Sequence, residues 1–408
     1  MSRPGRLLFI GFLVRGADGE SIFEGESHPQ YSALRFQQNL LNALEHAGTT
    51  IQALTTPPIA AFPRNRHAWV PGVEYRLPGL AAQARQIAMP NLAGIRLFAR
   101  VLQFVRHGRA ALRVPAGGIL VYSVHTPMVA AALLLKRLRG TPVFVVIPDL
   151  PTFMGGPTHA VKRFLKRVDA VLVRRLLAGA DGTFPITENI GRDWLVPGSR
   201  YLPMEGISDE AAAALRAAGT NRSYVYRGTG RPVLLYTGAL EYVRAFAEAF
   251  HRSGVDASLV FVGGGEDGER LQSLAAVDPR IEVKPFMTGD AFAREVDRAD
   301  FLLNPRDPSW PGTPYSFPSK LLEYLTTGKP IISTRLPGIP DEYFGVFRQV
   351  DLGDQPSFET SLSRALAADQ DPEGVWRRAE QLAGRLSSAS VGAKIVQHMR
   401  TWTEKAPR

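Results

Sequence analysis

The sequence predicts an α/β protein of two Rossmann-like domains facing each other across a central cleft. Three observations predict it. Strands that are apolar throughout alternate with amphipathic helices, the pattern of parallel sheets covered on both faces. That series runs twice, on either side of an Ala-rich and then polar, Gly-rich stretch over 208–232. The length of 408 residues suits two or three domains. The expected division is 1–210 and 225–389, with a C-terminal helix near 390–408 packing back on the first domain.

In the first half, RLLFIGF is the first strand and GFLVRGADGE the loop behind it, with Gly16 and Gly19. QYSALRFQQNLLNALEHAG is a helix ended by Gly48, and TTIQALTT, GILVYSV, PVFVVIP and GTFPIT are further strands. The apolar run from Ile119 to Leu135 holds Ser123, His125, Thr126 and Pro127, so it splits into a strand and a helix and not a membrane span. In the second half PVLLYTG, SLVFVGGG, IEVKPF, DFLLNP and PIIST are strands, with helices over 245–253 and 268–276 among them. Ligands of such sheets bind beyond the carboxyl ends of the strands.

A composition of 45% hydrophobic and 21% charged residues is that of a globular protein. The absence of Cys excludes disulfides and Cys-ligated metals and suits a reducing, cytoplasmic setting. The N-terminal apolar run is too short for a signal peptide and reads as the first buried strand. Residues 1–200 hold 24 Lys and Arg against 11 Asp and Glu, leaving 24 against 27 thereafter, so the net +10 lives in the first half. A basic half expects a polyanion or an anionic membrane surface nearby.

The segment SFPSKLLEYLTTGKPIIST, 316–334, carries the most chemistry. Pro318 stiffens the entry to a short helix, Ser319 can cap it, and Lys320 adds a positive charge to the free N–H groups there, together a cradle for a diphosphate. Glu323 sits one turn on among Leu321, Leu322, Tyr324 and Leu325, and a carboxylate there needs a partner such as the hydroxyls of a ribose. A salt bridge on an ordinary amphipathic helix is the plainer alternative.

ADFLLNP…YSFPSKLLEYLTTGKPIISTRLPGIPDEY resembles the donor-binding signature of retaining GT-B glycosyltransferases, family four. That family pairs two Glu, with seven residues between them, ahead of Gly-Lys-Pro. Glu323 matches the second, which the resemblance assigns to the ribose of a nucleotide sugar; the first falls on Tyr315. LLYTGALEYVRAF resembles the family's phosphate-binding strand and turn, with Gly238, with Ala239 at its Arg position, and with Arg244 at its Lys position. SLVFVGGGEDGERL resembles its Gly-rich turn, with Gly263 and Gly264. VKPFMTGDAF matches the loop that meets the base, so Phe286 and Met287 are base-pocket candidates. Tyr315, Ser316, Phe317, Pro318, Ser319 and Lys320 complete the implied donor set, with Gly16 from the first loop. On the acceptor side the resemblance points to Asp149, at the end of FVVIPD, with Thr187 and Glu188 facing the cleft; His125, at the end of YSVHTP, is a further candidate whose plainer reading is structural.

The resemblance implies transfer of a sugar from a UDP- or GDP-sugar by front-face substitution, without cofactor or metal. Asp149, His125, Arg244 and Lys320 are the expected catalytic groups. It also implies a saccharide or lipid-linked acceptor, as in surface polysaccharide or glycolipid assembly. The Arg-rich stretches 94–114 and 161–179 suit peripheral contact with an anionic membrane. Two other classes remain open: a nucleotide-sugar epimerase of the same fold, and a basic nucleic-acid-binding protein. The second lacks aromatic stacking platforms, and no nucleic acid is expected.

Overall fold

The computed structural model describes residues 5–15, 20–23, 31–152, 160–209, 230–287, 289–367 and 371–404. Gly16, Gly19 and most of the 208–232 stretch lie outside the described residues. Contacts divide the chain into two units, Met1–Ile207 with Ser387–Arg408, and Ser208–Leu386.

The first unit runs β1 (Arg6–Gly11), α1 (Tyr31–His46), β2 (Thr50–Thr55), β3 (Trp69–Val70), β4 (Val73–Arg76), β5 (Gln83–Gln86), β6 (Met89–Pro90), α2 (Ile95–Ala111), β7 (Gly118–Tyr122), α3 (Thr126–Arg139), β8 (Val143–Ile147), α4 (Ala160–Leu177) and β9 (Gly182–Pro185). Its seven-stranded sheet has the order β4-β5-β2-β1-β7-β8-β9. All pairings are parallel except β4 with β5. Without the antiparallel edge strand this is the 3-2-1-4-5-6 order of a doubly wound sheet, whose order reverses between β1 and β7. GILVY and VFVVI are buried at every position, as strands covered on both faces must be. The β4–β5 pair lacked an apolar run to announce it: β5 alternates exposed Gln83 and Arg85 with buried Ala84 and Gln86, as a strand covered on one face does.

The second unit runs β10 (Val233–Ala239), α5 (Arg244–Arg252), β11 (Ser258–Gly264), α6 (Gly268–Val277), β12 (Ile281–Lys284), α7 (Gly289–Arg298), β13 (Phe301–Asn304), α8 (Lys320–Leu325), β14 (Ile331–Thr334), β15 (Arg348–Val350), α9 (Gln355–Leu366) and α10 (Pro372–Arg385). Its six strands are all parallel in the order β12-β11-β10-β13-β14-β15, the same winding, with the reversal between β10 and β13. Phe246, Phe250, Phe261, Phe301 and Phe358 fill its core.

The closing helix α11 (Ser388–Glu404) packs on α1 of the first unit. Gly392 lies against the Ala43 carbonyl, where a Cβ would collide, and the Trp402 ring covers Gly182 and sits 5.3 Å from Phe184.

Candidate functional site

In the second unit, the carboxyl ends of the strands at the order reversal form a polar, glycine-rich edge. Gly238 and Gly263 face each other in the β10–β11 register, and a Cβ on Gly263 would fall on the Gly238 carbonyl. Gly265 has φ +145°, and a Cβ there would strike the Glu241 carboxylate. At Gly263 and Gly265 the backbone therefore has room only for glycine.

Lys320 and Glu323 lie beside this edge on α8, Nζ to Oε2 at 2.7 Å, and Lys320 Nζ stands 5.8 Å from the centre of the Phe292 ring. Tyr324 fixes the helix: its hydroxyl is 3.1 Å from both the Thr237 amide nitrogen and Thr237 Oγ1, inside the core. Burial first, against the bond from Thr237, raises the Tyr324 hydroxyl to about 12, so it stays protonated. Leu321, Leu322, Tyr324 and Leu325 are buried, and the two charged groups are thereby turned outward from the strand ends.

Arg306 was not singled out by the sequence. It follows β13 by two residues, and Thr334 Oγ1 donates to its carbonyl at 2.6 Å. Its guanidinium stacks 4.7 Å over the Tyr242 ring and lies 3.5 Å from Ser316 Oγ. Its charge lowers the pKa of both Tyr236 and Tyr324, although burial keeps both phenols above their ordinary value. A positive charge thus stands beside the β10 turn in which Ala239 replaces the expected Arg. The available signal was a basic residue just past the carboxyl end of a strand.

Several expectations need correction. Glu323 is half exposed and not buried, because α8 turns its apolar positions, not this one, to the core; its partner is Lys320. Ser319 makes no side-chain cap, since it already has helical backbone angles. The helix has six residues and begins at Lys320, so Pro318 precedes it and its dipole is too short to form the expected cradle. Phe317 packs into the core, 5.4 Å from the Tyr343 ring. Phe286 is 77% exposed and Met287 lies beside it. Arg244 heads α5 and is shared by Asp267 (3.8 Å) and Glu248 (4.0 Å). Gly264 ends β11 beside Gly263, and Tyr315 closes a 3-10 turn over Thr313–Tyr315, next to Ser316.

The first unit has its own pocket at the corresponding reversal, about 370 Å³, lined by Phe12, Arg96, Arg100, Tyr122, His125, Asp149 and Asp169 among others. Gln37 holds the loop behind β1, accepting from the Phe12 amide at 2.8 Å and donating to its carbonyl at 2.7 Å. Ser123, just past β7, has φ +76°, a strained position that brings His125 to the pocket. Arg100 Nη1 donates to His125 Nε2 at 3.0 Å, and the His125 ring meets Phe12 edge-on at 5.2 Å. Burial first, then the charges of Arg100 and Arg96, lower the His125 pKa to about 3, so the imidazole is neutral at pH 7. The pocket brings His125 and Asp149 together. Thr187 and Glu188 are occupied elsewhere, Thr187 Oγ1 accepting from the Ile190 amide and Glu188 from the Tyr201 hydroxyl. Arg100 corrects a further expectation: at 2% exposed it faces inward and is withheld from any membrane.

Residues 231–368, spanning these second-unit strand ends, match the family model "Glycosyl transferases group 1". No curated protein sequence matches the chain. Solved structures share its fold. The lipopolysaccharide outer core galactosyltransferase WaaB is 13% identical over 96% of this chain and 99% of its own, with a TM-score of 0.63. Anabaena HepE in complex with UDP-glucose is 10% identical over 97% and 100%, at 0.55. The catalytic domain of Arabidopsis thaliana starch synthase IV, bound to ADP and acarbose, is 12% identical over 98% and 99%, also at 0.55. Two doubly wound units and these likenesses lead to one conclusion: the chain has the GT-B fold, and its residues 231–368 match the glycosyl transferases group 1 family.

Proposed function

We propose that the protein is a retaining transferase that moves a hexose from a UDP- or GDP-sugar to a saccharide or lipid-linked saccharide acceptor. The observation that carries this reading is the Lys320–Glu323 pair beside Arg306 at the β10–β13 reversal, inside the family-matched segment. Glu323 takes the ribose hydroxyls. Lys320 and Arg306, with Arg244 once released from its acids, neutralise the diphosphate. That HepE is described with UDP-glucose supports a nucleotide-sugar donor.

In the reaction the bond from the sugar's anomeric carbon to the phosphate oxygen breaks, and its electron pair leaves with the diphosphate. The acceptor hydroxyl bonds to the same face of that carbon, and its proton passes to a donor phosphate oxygen. The protein contributes by positioning and by stabilising the departing charge, without a metal. Asp149 and neutral His125 orient acceptor hydroxyls through hydrogen bonds.

No helix among the described residues is long and apolar enough to cross a membrane. The proposed membrane contact is peripheral. Helices α2 and α4 both pack on α3 and turn Phe98 and Leu102, and Phe164 and Leu165, to solvent beside exposed Arg106, Arg109, Arg163 and Arg167. Exposed apolar side chains within a basic field suit the surface of an anionic bilayer.

A thermal-shift panel of UDP-, GDP- and dTDP-sugars tests the donor reading. One of them raises the melting temperature in a concentration-dependent way; no shift with any would refute it.

A further inference from the structure

We propose that the first-unit pocket is an oxyanion site, and that the acceptor carries a carboxylate or phosphate group which Arg100 and His125 hold. The word acceptor rests on the transferase reading; the anion site rests on the first unit alone.

Arg100 is a guanidinium enclosed in the middle of α2, and among the described residues no carboxylate pairs with it. A guanidinium offers five N–H donors and accepts nothing. One of them goes to His125 Nε2. That bond sets the imidazole tautomer: Nε2 accepts, so the ring proton sits on Nδ1. His125 Nδ1 is itself buried without a partner, and so is Arg100 Nε. Both residues line the cavity. The wall of the cavity therefore holds two buried, unmet donors and a buried positive charge, with a second cation, Arg96, one helical turn away.

A neutral hydroxyl would satisfy one donor and leave the charge. A carboxylate or phosphate satisfies both donors and neutralises the guanidinium, and so restores the pairing that buried charges require. The two carboxylates of the pocket serve other groups. Asp169 accepts from Thr126 Oγ1 at 2.6 Å, and neither Asp169 nor Asp149 bonds Arg100 or His125. They remain suited to hydroxyls on the rest of an acidic sugar, with the Phe12 ring as an apolar wall.

The full-length protein is titrated calorimetrically with glucuronate, glucose 6-phosphate and glucose at constant ionic strength, with and without saturating UDP. At least one anionic sugar is expected to bind ten times more tightly than glucose, whether or not UDP is present, and the two anionic probes identify the preferred oxyanion. Arg100→Met is expected to remove this discrimination while UDP affinity is unchanged. Equal binding of glucose and both anionic sugars overturns the proposal. So does discrimination that survives in Arg100→Met. Displacement of the anionic sugar by UDP would assign the site to the donor's own phosphates and also overturn it. The wild-type titrations decide even if the variant does not fold. Failure of every nucleotide sugar to bind would refute the transferase reading and leave the anion result standing.

Discussion

Lys320 Nζ and Glu323 Oε2 lie 2.7 Å apart across one turn of α8, so the cation and the carboxylate assigned to the donor neutralise each other before any donor arrives. A nucleotide sugar has to part them, giving its phosphate to one and its ribose to the other. The pair is substantially exposed, and such pairs contribute about 0–1 kcal/mol to stability. Glu323→Ala is therefore expected to melt close to the wild type. Donor affinity should fall tenfold or more, since a hydrogen bond to a charged group is worth about 1.5–3 kcal/mol. Calorimetric titration with the donor checks this; unchanged affinity rejects the ribose assignment.

Arg306 supplies the positive charge that Ala239 cannot. Removing it by Arg306→Ala should weaken the donor by about tenfold and reduce the salt dependence of binding. Arg306→Lys should recover part of the affinity, because an ammonium keeps the charge but lacks the planar fork. Affinity for UDP at two salt concentrations checks this. If Arg306→Ala binds UDP as the wild type does, Arg306 serves only to stack on Tyr242.

Tyr324 ties α8 to β10 through Thr237. Tyr324→Phe leaves the buried Thr237 amide without this partner, at a cost of about 1–3 kcal/mol. Thermal denaturation should show a fall of several degrees. Donor affinity should fall as well, because Lys320 and Glu323 lose their anchor. A loss of stability with full donor affinity would mean that the helix holds its place without this bond.

The doubly wound architecture was legible because each central strand is an unbroken apolar run, GILVY or VFVVI, and each helix carries an apolar stripe. Edge structure was not, because β4 and β5 alternate polar residues and carry no such run. At the site, glycines and the FPSK segment were visible as local patterns. Arg306 and Arg100 were not, since their roles come from strands and helices far apart in sequence. Arg100 sits among four other arginines of its stretch and only packing shows that it, alone of α2's arginines, is buried.

The membrane proposal turns on side chains with nothing to cover them. Phe98 is 80% and Phe164 65% exposed. Burying a Phe contributes about 1.5–3 kcal/mol, and each basic residue near an anionic surface about 1 kcal/mol. Phe98→Asp with Phe164→Asp should cut partitioning onto vesicles rich in phosphatidylglycerol at least tenfold. Co-sedimentation checks this, with phosphatidylcholine vesicles as the neutral control. Equal sedimentation of variant and wild type removes the surface from consideration.

His125 makes the pocket's enclosure measurable. Its folded pKa of about 3 lies below the ordinary value near 6.5, through burial first and then the charges of Arg100 and Arg96. Between those two values the unfolded chain binds a proton that the folded one refuses. Stability therefore rises with pH across this window and is lost as pH falls from about 6.5 towards 3. Tyr122, Asp149 and Asp169 also face the pocket. The diagnostic quantity is accordingly the difference between wild type and His125→Gln, whose acid limb should be flatter. Denaturant melts from pH 4 to 8 measure it, and nitrogen-15 shifts of the imidazole should show a neutral ring protonated on Nδ1 throughout that range. A ring that titrates near 6.5 would mean that water reaches it, and the neutral hydrogen-bonding role proposed for His125 would fall with the enclosure.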